Sequence, residues 1–301
     1  MKLTILGCHS ATPRENKHTT SQLLEIKGHL FLIDCGEGTQ IQLRKAKIKF
    51  ARIQHIFISH LHGDHFYGLI GLISTFRLLG RTAPLYIYGP KGIQEIIQLQ
   101  LKLAKSWTDY PLHFQELTRS DSQCIFDEDD IQVETIPLDH RVYTNGFLFT
   151  YKNSLRKINT DACSKRDLKP YHFNQLQKGQ SITLENGERI ENEELTFSSE
   201  AAKRYAFCSD TAYSKSIISQ IEGADLLYHE ATFLQQHEGL AKSTKHSTAQ
   251  QAAEIAKSAG VKQLVLGHFS SRYKTKEGFL SEATPIFQAV ELAEDFKTFS
   301  I

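Results

Sequence analysis

The segment Ser59-His60-Leu61-His62-Gly63-Asp64-His65 places four potential metal ligands within six residues. His60 and His62 stand two apart, so on extended backbone their side chains point the same way. Asp64 and His65 are neighbours and are expected to diverge, so that one turn can offer ligands to two adjacent ions. Gly63 permits the tight bend between the pairs. Imidazole with a little carboxylate suits zinc, with iron and manganese as open alternatives. Two ions need more ligands than one loop supplies. The candidates are His140 in Pro-Leu-Asp-His-Arg, Asp210 in Phe-Cys-Ser-Asp-Thr and His268 in Leu-Val-Leu-Gly-His-Phe. Each falls at the end of a predicted strand, where loops carry chemistry.

The elements that must position these groups follow from hydropathy patterning. Leu3–Gly7 is a short apolar run ending in glycine. Gln22–Ile26 and Leu30–Asp34 flank Lys27-Gly28-His29 as a hairpin. Ile53–Ile58 is a strand that runs straight into the histidine loop. Helices are predicted over 37–47, 66–79 and 92–104, with Gly80 stopping the second. Strands follow over 85–88, 112–114, 131–136 and 147–151. After an irregular stretch of about 152–202, the pattern resumes as strand 205–208, helix 212–221, strand 224–229, helix 247–258 and strand 263–266. Two successive rounds of strands and helices predict an α/β protein of sheets covered by helices.

Composition removes whole classes. The 301 residues are 40% apolar and 23% charged, which excludes a disordered tail, a collagen and a coiled coil. No apolar run reaches about 18 residues, so no membrane span is expected. The opening apolar run is too short for a signal peptide and reads as a strand. Lys plus Arg is 35 and Asp plus Glu is 34, so a nucleic-acid partner must be held by a local patch. Residues 152–178 are that patch, with seven basic side chains against two acids, a net +5. The five cysteines are odd in number and scattered without a CxxC pair, which fits a reducing cytoplasm and no disulfide framework.

His60-x-His62-x-Asp64-His65, followed in order by His140, Asp210 and His268, resembles the metallo-β-lactamase superfamily pattern. Five further segments resemble its ribonuclease Z branch, the tRNA 3′-processing endonucleases. They are Leu32–Gln40 (Leu-Ile-Asp-Cys-Gly-Glu-Gly-Thr-Gln), the extended motif Ser59–Leu69, His229-Glu230-Ala231-Thr232-Phe233, His246–Gln250 and Gly267–Tyr273. The resemblance covers the chain from residue 1 to the last predicted strand. It implies a four-layer αβ/βα sandwich over residues 1–301 with an arm inserted at 152–202. It implies two zinc ions per chain, one held by His60, His62 and His140, the other by Asp64, His65 and His268, with Asp210 bridging. No organic cofactor is implied.

The implied reaction removes the 3′ trailer from precursor tRNA, leaving a 3′-hydroxyl on the tRNA and a 5′-phosphate on the trailer. Glu230 and His246 are the expected pair for protonating the leaving oxygen, since a carboxylate can orient an imidazole and keep it protonated. Asp64 is expected to steer the nucleophile's proton besides binding metal. Asp34 either supports the histidine loop or is a turn aspartate before Cys35-Gly36. Arg272 either clamps a phosphate or forms a surface ion pair. The resemblance also implies a homodimer whose arm grips the tRNA body, here through Lys165, Arg166 and Lys169. The chain departs from the family in the arm. It has no Gly/Pro-rich tip, only Pro170 with Tyr171 and Phe173. A general metal-dependent phosphodiesterase and a non-catalytic RNA-binding module are the competing readings. The first is disfavoured by the length of 152–202, the second by the full set of seven ligands.

Overall fold

A computed structural model describes residues 1–152, 155–166, 168–199 and 201–301. Asp167, one acid of the basic stretch, lies outside the described residues, as do three other positions of the span 152–202. Two seven-stranded sheets form the framework. The first runs in the order Thr298–Ser300, Lys2–Gly7, Ser21–Ile26, His29–Ile33, Ile53–Phe57, Leu85–Pro90, Leu112–Leu117. Its first three pairings are antiparallel and its last three parallel. The second runs Val290–Leu292, Leu264–Gly267, Leu226–Glu230, Lys203–Cys208, Asn145–Tyr151, Ile131–Pro137, Cys124–Glu128. Here three parallel pairings are followed by three antiparallel ones.

The period of two along each strand sorts side chains into layers. Phe31, Ile33 and Phe57 face the second sheet, and the rings of Phe31 and Phe57 pack with those of Phe147 and Phe149 at 5.3 to 5.7 Å. Leu30, Leu32, Ile56 and Ile58 face the other way, onto the helices Gly68–Leu78 and Ile93–Leu103. On the far side of the second sheet lies the helix Ala249–Ser258, whose Ala252, Ala253, Ile255 and Ala256 are fully buried. The layers are therefore helix, sheet, sheet, helix. Strands covered on both faces read as continuous apolar runs, and Leu226–Glu230 is buried along its whole length.

Several expected elements differ. The helix expected over 66–79 splits into a turn at Gly63–Phe66 and a helix at Gly68–Leu78. The one expected over 212–221 shrinks to a 3₁₀ turn at Lys215–Ile217 and a single turn at Ile218–Ile221. The helix expected from 247 begins at Ala249 under a Thr248 cap: Thr248 Oγ1 accepts the Gln251 N–H at 3.2 Å while Gln251 returns an acceptor to the Thr248 N–H. Helices at Glu238–Thr244 and Glu277–Ala283 and the strand Cys124–Glu128 were not expected. Their short, mixed patterns do not separate from loops.

Between the strands Asn145–Tyr151 and Lys203–Cys208, the chain builds a small separate core of Cys163, Leu176, Ile182, Ile190 and Leu195. Two-residue strands at Lys157–Ile158 and Thr196–Phe197 pair at its base.

Candidate metal centre and catalytic pair

The donor groups meet because both sheets present strand ends to one edge. His60 and His62 follow the strand Ile53–Phe57, and His140 follows Ile131–Pro137. Asp210 follows Lys203–Cys208, Glu230 ends Leu226–Glu230, and His268 follows Leu264–Gly267. His60 Nε2 and His62 Nδ1 lie 3.0 Å apart, and His140 Nε2 lies 3.3 Å from the latter. Asp210 Oδ2 is 3.7 Å from His60 Nε2 and 3.9 Å from His140 Nε2. The other oxygen, Oδ1, faces a second set: 3.3 Å to His65 Nε2 and 3.1 Å to His268 Nε2. Asp64 Oδ2 completes that set at 3.6 Å from His65 and 3.4 Å from His268. The divergence expected of Asp64 and His65 is thus not found; on the turn Gly63–Phe66 their donor atoms converge. Gly63 is not in the left-handed region. It is required because a Cβ there would collide with the Tyr67 ring.

Partners on the far side of each imidazole decide which nitrogen carries the lone pair. His65 Nδ1–H donates to Asp34 Oδ2 at 2.7 Å, and His140 Nδ1–H donates to the Lys245 carbonyl at 2.9 Å. Ser59 Oγ donates to Asp34 Oδ2 at 2.9 Å and so accepts from His60 Nδ1 at 3.1 Å. Thr232 Oγ1 donates to Glu230 Oε2 at 2.5 Å and so accepts from His268 Nδ1 at 2.8 Å. Four imidazoles therefore keep the Nδ1 proton on the outer side and turn Nε2 inward, toward the place a cation would take. His60 Nε2 and His140 Nε2 both face His62 Nδ1, at 3.0 and 3.3 Å, so a cation among the three would take a lone pair from each. Those spacings match the edge of a tetrahedron about 3.3 Å long that zinc–nitrogen bonds of about 2.0–2.1 Å impose. His65 Nε2 is buried without a hydrogen bond. The residues fit metal ions in two adjacent positions.

Charge agrees. Burial opposes ionisation of Asp210, but His268, His65 and His60 outweigh it and hold the carboxyl well below its usual range. Burial likewise lowers His65, yet Asp210, Asp64 and Asp34 together push it well above. A proton there occupies the place a cation would take in the metal-free protein.

Asp34 is no turn aspartate at the surface. It is fully buried with φ 56°, and Oδ1 accepts the Ser59 N–H at 2.7 Å while Oδ2 takes His65. Through Ser59 it orients His60 as well. Asp34→Asn replaces one accepting oxygen by an amide, so metal affinity should fall by about ten- to a hundred-fold. Competition with a fluorescent chelator measures this; unchanged affinity would deny Asp34 that role.

Glu230 is fully buried and saturated. Oε1 accepts the Thr211 N–H at 2.8 Å and His246 Nδ1 at 2.7 Å; Oε2 accepts the Thr232 N–H at 3.1 Å and the Thr232 hydroxyl. No lone pair is left for a metal, although Glu230, His246, Asp210 and His268 lie close enough to form a third cluster. Burial lowers the His246 pKa, but the Glu230 charge and hydrogen bond, with Asp210, overcome it and raise it to about 9. His246 is thus a protonated ring on the wall of a cleft of about 480 Å³ that also exposes His62, Asp64, Asp210 and His268.

Arg272 is exposed and lies over the Phe233 ring at 5.4 Å, outside the cleft lining; Phe233 itself lines the cleft. The arginine that lines the cleft is Arg141, which sequence reasoning missed. Its position directly after His140 was the available signal. Thr232 and Ser59 were missed too, since nothing in their spacing marks a hydroxyl shared between an imidazole and a carboxylate. Far from the cleft, Arg166 pairs with Glu188 at 3.7 Å and Glu194 at 3.4 Å, so part of the expected basic patch is neutralised locally. Lys165 is exposed, and Lys169 stands at the N-cap of the helix Pro170–Gln177.

Residues 174–269 match the family model described as a beta-lactamase superfamily domain, and residues 1–168 match one described as anti-Pycsar protein Apyc1. A metallo-β-lactamase-fold protein of Bacillus subtilis superposes with a TM-score of 0.70 at 20% identity, covering 99% of this chain and 98% of that one. Fold and donor set together define a protein of the metallo-β-lactamase superfamily. The chain is 47% identical over 297 residues to ribonuclease Z of Phocaeicola vulgatus, covering 99% of this chain and 96% of that one. It is 42% identical over 291 residues to ribonuclease Z of Porphyromonas gingivalis, covering 97% and 96%. The short form of human tRNase Z superposes with a TM-score of 0.74 at 30% identity, covering 100% and 99%. The chain belongs to the ribonuclease Z family.

Proposed function

We propose that this chain is a metal-dependent endoribonuclease that removes the 3′ trailer of precursor tRNA, leaving a 3′-hydroxyl on the tRNA and a 5′-phosphate on the trailer. The observation that carries the reading is His246, held by the buried Glu230 at 2.7 Å, on the same cleft wall as His62, Asp64, Asp210 and His268 of the donor sets, in a chain of this family. Two zinc ions are assigned, one to His60, His62 and His140, the other to Asp64, His65 and His268, with Asp210 between them. Bound there, such ions lower the pKa of a water and neutralise phosphate charge. The protein's own groups do the rest. Asp64, whose Oδ2 accepts the Ala11 N–H at 2.8 Å, steers the nucleophile's proton besides its place among the metal ligands. Protonated His246, fixed by Glu230, donates to the departing 3′-oxygen. Arg141 faces the phosphate with its planar fork.

The assigned metals predict a simple panel. Purified protein is offered precursor tRNA and a small aryl phosphodiester, with and without chelator. Cleavage of the precursor at the trailer junction should vanish with chelator and return with zinc. Turnover of the small diester alone, with the precursor untouched, favours the general phosphodiesterase.

Residues 152–202 are assigned as the tRNA-gripping arm of a single domain spanning 1–301, and their separate core supports that division. Replacing about 155–195 by a short Gly/Ser loop should keep the metals and the small-diester activity while precursor cleavage falls sharply through weaker binding. Replacing Lys165, Arg166 and Lys169 with alanine should flatten the salt dependence, each lost phosphate contact removing about one released counterion. If the trimmed chain cleaves precursor as well as the parent, the arm has no such part. A homodimer is also proposed. Leu78, Leu79, Leu99, Leu103 and Trp107 are 51 to 84% exposed on and beyond the outer helices of the first sheet, which a partner would cover. No described helix is long and apolar enough to cross a membrane. A cytoplasmic site of action is proposed, and five free cysteines fit it.

A further inference from the structure

Tyr67 stands at the junction of the turn Gly63–Phe66 and the helix Gly68–Leu78, two residues beyond His65. It lines the metal cleft and is 63% exposed. An aromatic ring that open on a folded surface gains little for the core, so its position needs another reason. The ring is nevertheless held. It lies against the Gly63 backbone so closely that any side chain at 63 would strike it. Phe66, itself buried, meets it at 5.0 Å with planes inclined by 63°. The backbone beneath is tied down as well: the Tyr67 N–H donates to the Gly63 carbonyl at 3.0 Å, and the Gly68 N–H donates to the Cys35 carbonyl at 2.9 Å. One side of the ring is thus packed onto the ligand loop, and the rest is open to solvent at the cleft.

We infer that Tyr67 is a stacking platform for the nucleobase of a nucleotide flanking the scissile phosphate. The inference rests on the proposed reading of the cleft as an RNA phosphodiester site. A phosphate drawn to the two donor sets carries a base on either side. A pre-oriented ring next to the ligands receives one of them at small entropic cost. Every base has a π-face, so stacking holds the strand without reading its sequence. That property suits an enzyme whose cleavage point is set by the body of its substrate and not by the local bases.

The test uses the full-length, metal-replete protein and three precursor tRNAs: unmodified, abasic just 5′ of the scissile phosphate, and abasic just 3′ of it. On the unmodified precursor Tyr67→Leu should lower kcat/KM by about ten- to a hundred-fold, and Tyr67→Phe should stay within about twofold of the parent. On one of the two abasic precursors the parent and Tyr67→Leu should cut equally. 2-Aminopurine at that nucleotide should be quenched on binding to the parent and to Tyr67→Phe, which needs no folded leucine variant. Metal content and sedimentation of Tyr67→Leu should match the parent. An equal Tyr67→Leu penalty on all three substrates, a Tyr67→Phe defect as large as that of Tyr67→Leu, or unquenched 2-aminopurine at both positions overturns the platform. So does a change in oligomeric state, which would make Tyr67 an interface residue. A parent that leaves every precursor intact fails the RNA-processing reading itself, a result distinct from all of these.

Discussion

Asp210→Ala should lose at least one of two metal equivalents and with it roughly a thousand-fold or more in turnover, because the activated water and the neutralised phosphate fail together. The Asp210 carboxylate presents one oxygen to each donor set. Oδ2 is turned to His60 and His140, Oδ1 to His65 and His268, at 3.1 to 3.9 Å. No other carboxylate among the described residues serves both sets. Asp64 reaches only the second, and Glu230 is occupied by Thr211, Thr232 and His246. Metal analysis of the purified variant, with turnover of precursor tRNA, gives the check. Full metal content together with full activity would reject the bridging position. A variant with one ion and measurable residual activity would identify which set tolerates the loss.

The second large effect concerns Glu230 and His246. Each alanine variant should lower turnover by about a hundred- to ten-thousand-fold while keeping both metals. The double variant should be little worse than either single one, because Glu230 acts only through the ring it holds. Additive losses would mean separate jobs. A substrate whose leaving oxygen is already acidic needs no proton and should suffer less from His246→Ala. The pair also has a titration signature in the metal-free protein. Burial pulls the His246 pKa down, and Glu230 lifts it to about 9, so the charged ring persists well above pH 7 and is lost only as pH rises through that value. In Glu230→Gln the lift disappears and the NMR titration should move down to or below the ordinary imidazole range. An unmoved midpoint would remove Glu230 as the cause.

Local signals carried much of this protein. The alternation of side chains put His60 and His62 on one side of an extended segment, and the structure finds their donor atoms 3.0 Å apart. Strands buried on both faces were visible as apolar runs, and both rounds of strand and helix became sheets with helical cover. The errors lie where neighbouring residues do not settle the matter. Helix 212–221 shrank because its buried apolar positions, Ile217 and Ile221, lie only at its C-terminal end, where a 3₁₀ turn and one α turn form. Asp64 and His65 were expected to part because they are neighbours, yet a helical turn brings their donor atoms together.

What the sequence by itself determined is the roster of groups able to do chemistry and their order along the chain, since residue type and short spacing depend on nothing farther away. Only the tertiary structure decided their partners. Asp210 turns an oxygen to each set because the ends of two sheets meet there. Ser59, Thr232 and the Lys245 carbonyl choose which nitrogen of an imidazole is free, from positions up to 105 residues away along the chain. Arg141 enters the cleft where Arg272 does not, and Arg166 spends its charge on Glu188 and Glu194. Such choices belong to packing. A hydrogen bond needs its two atoms within about 3 Å, and the sequence alone does not state which distant segments are brought that close.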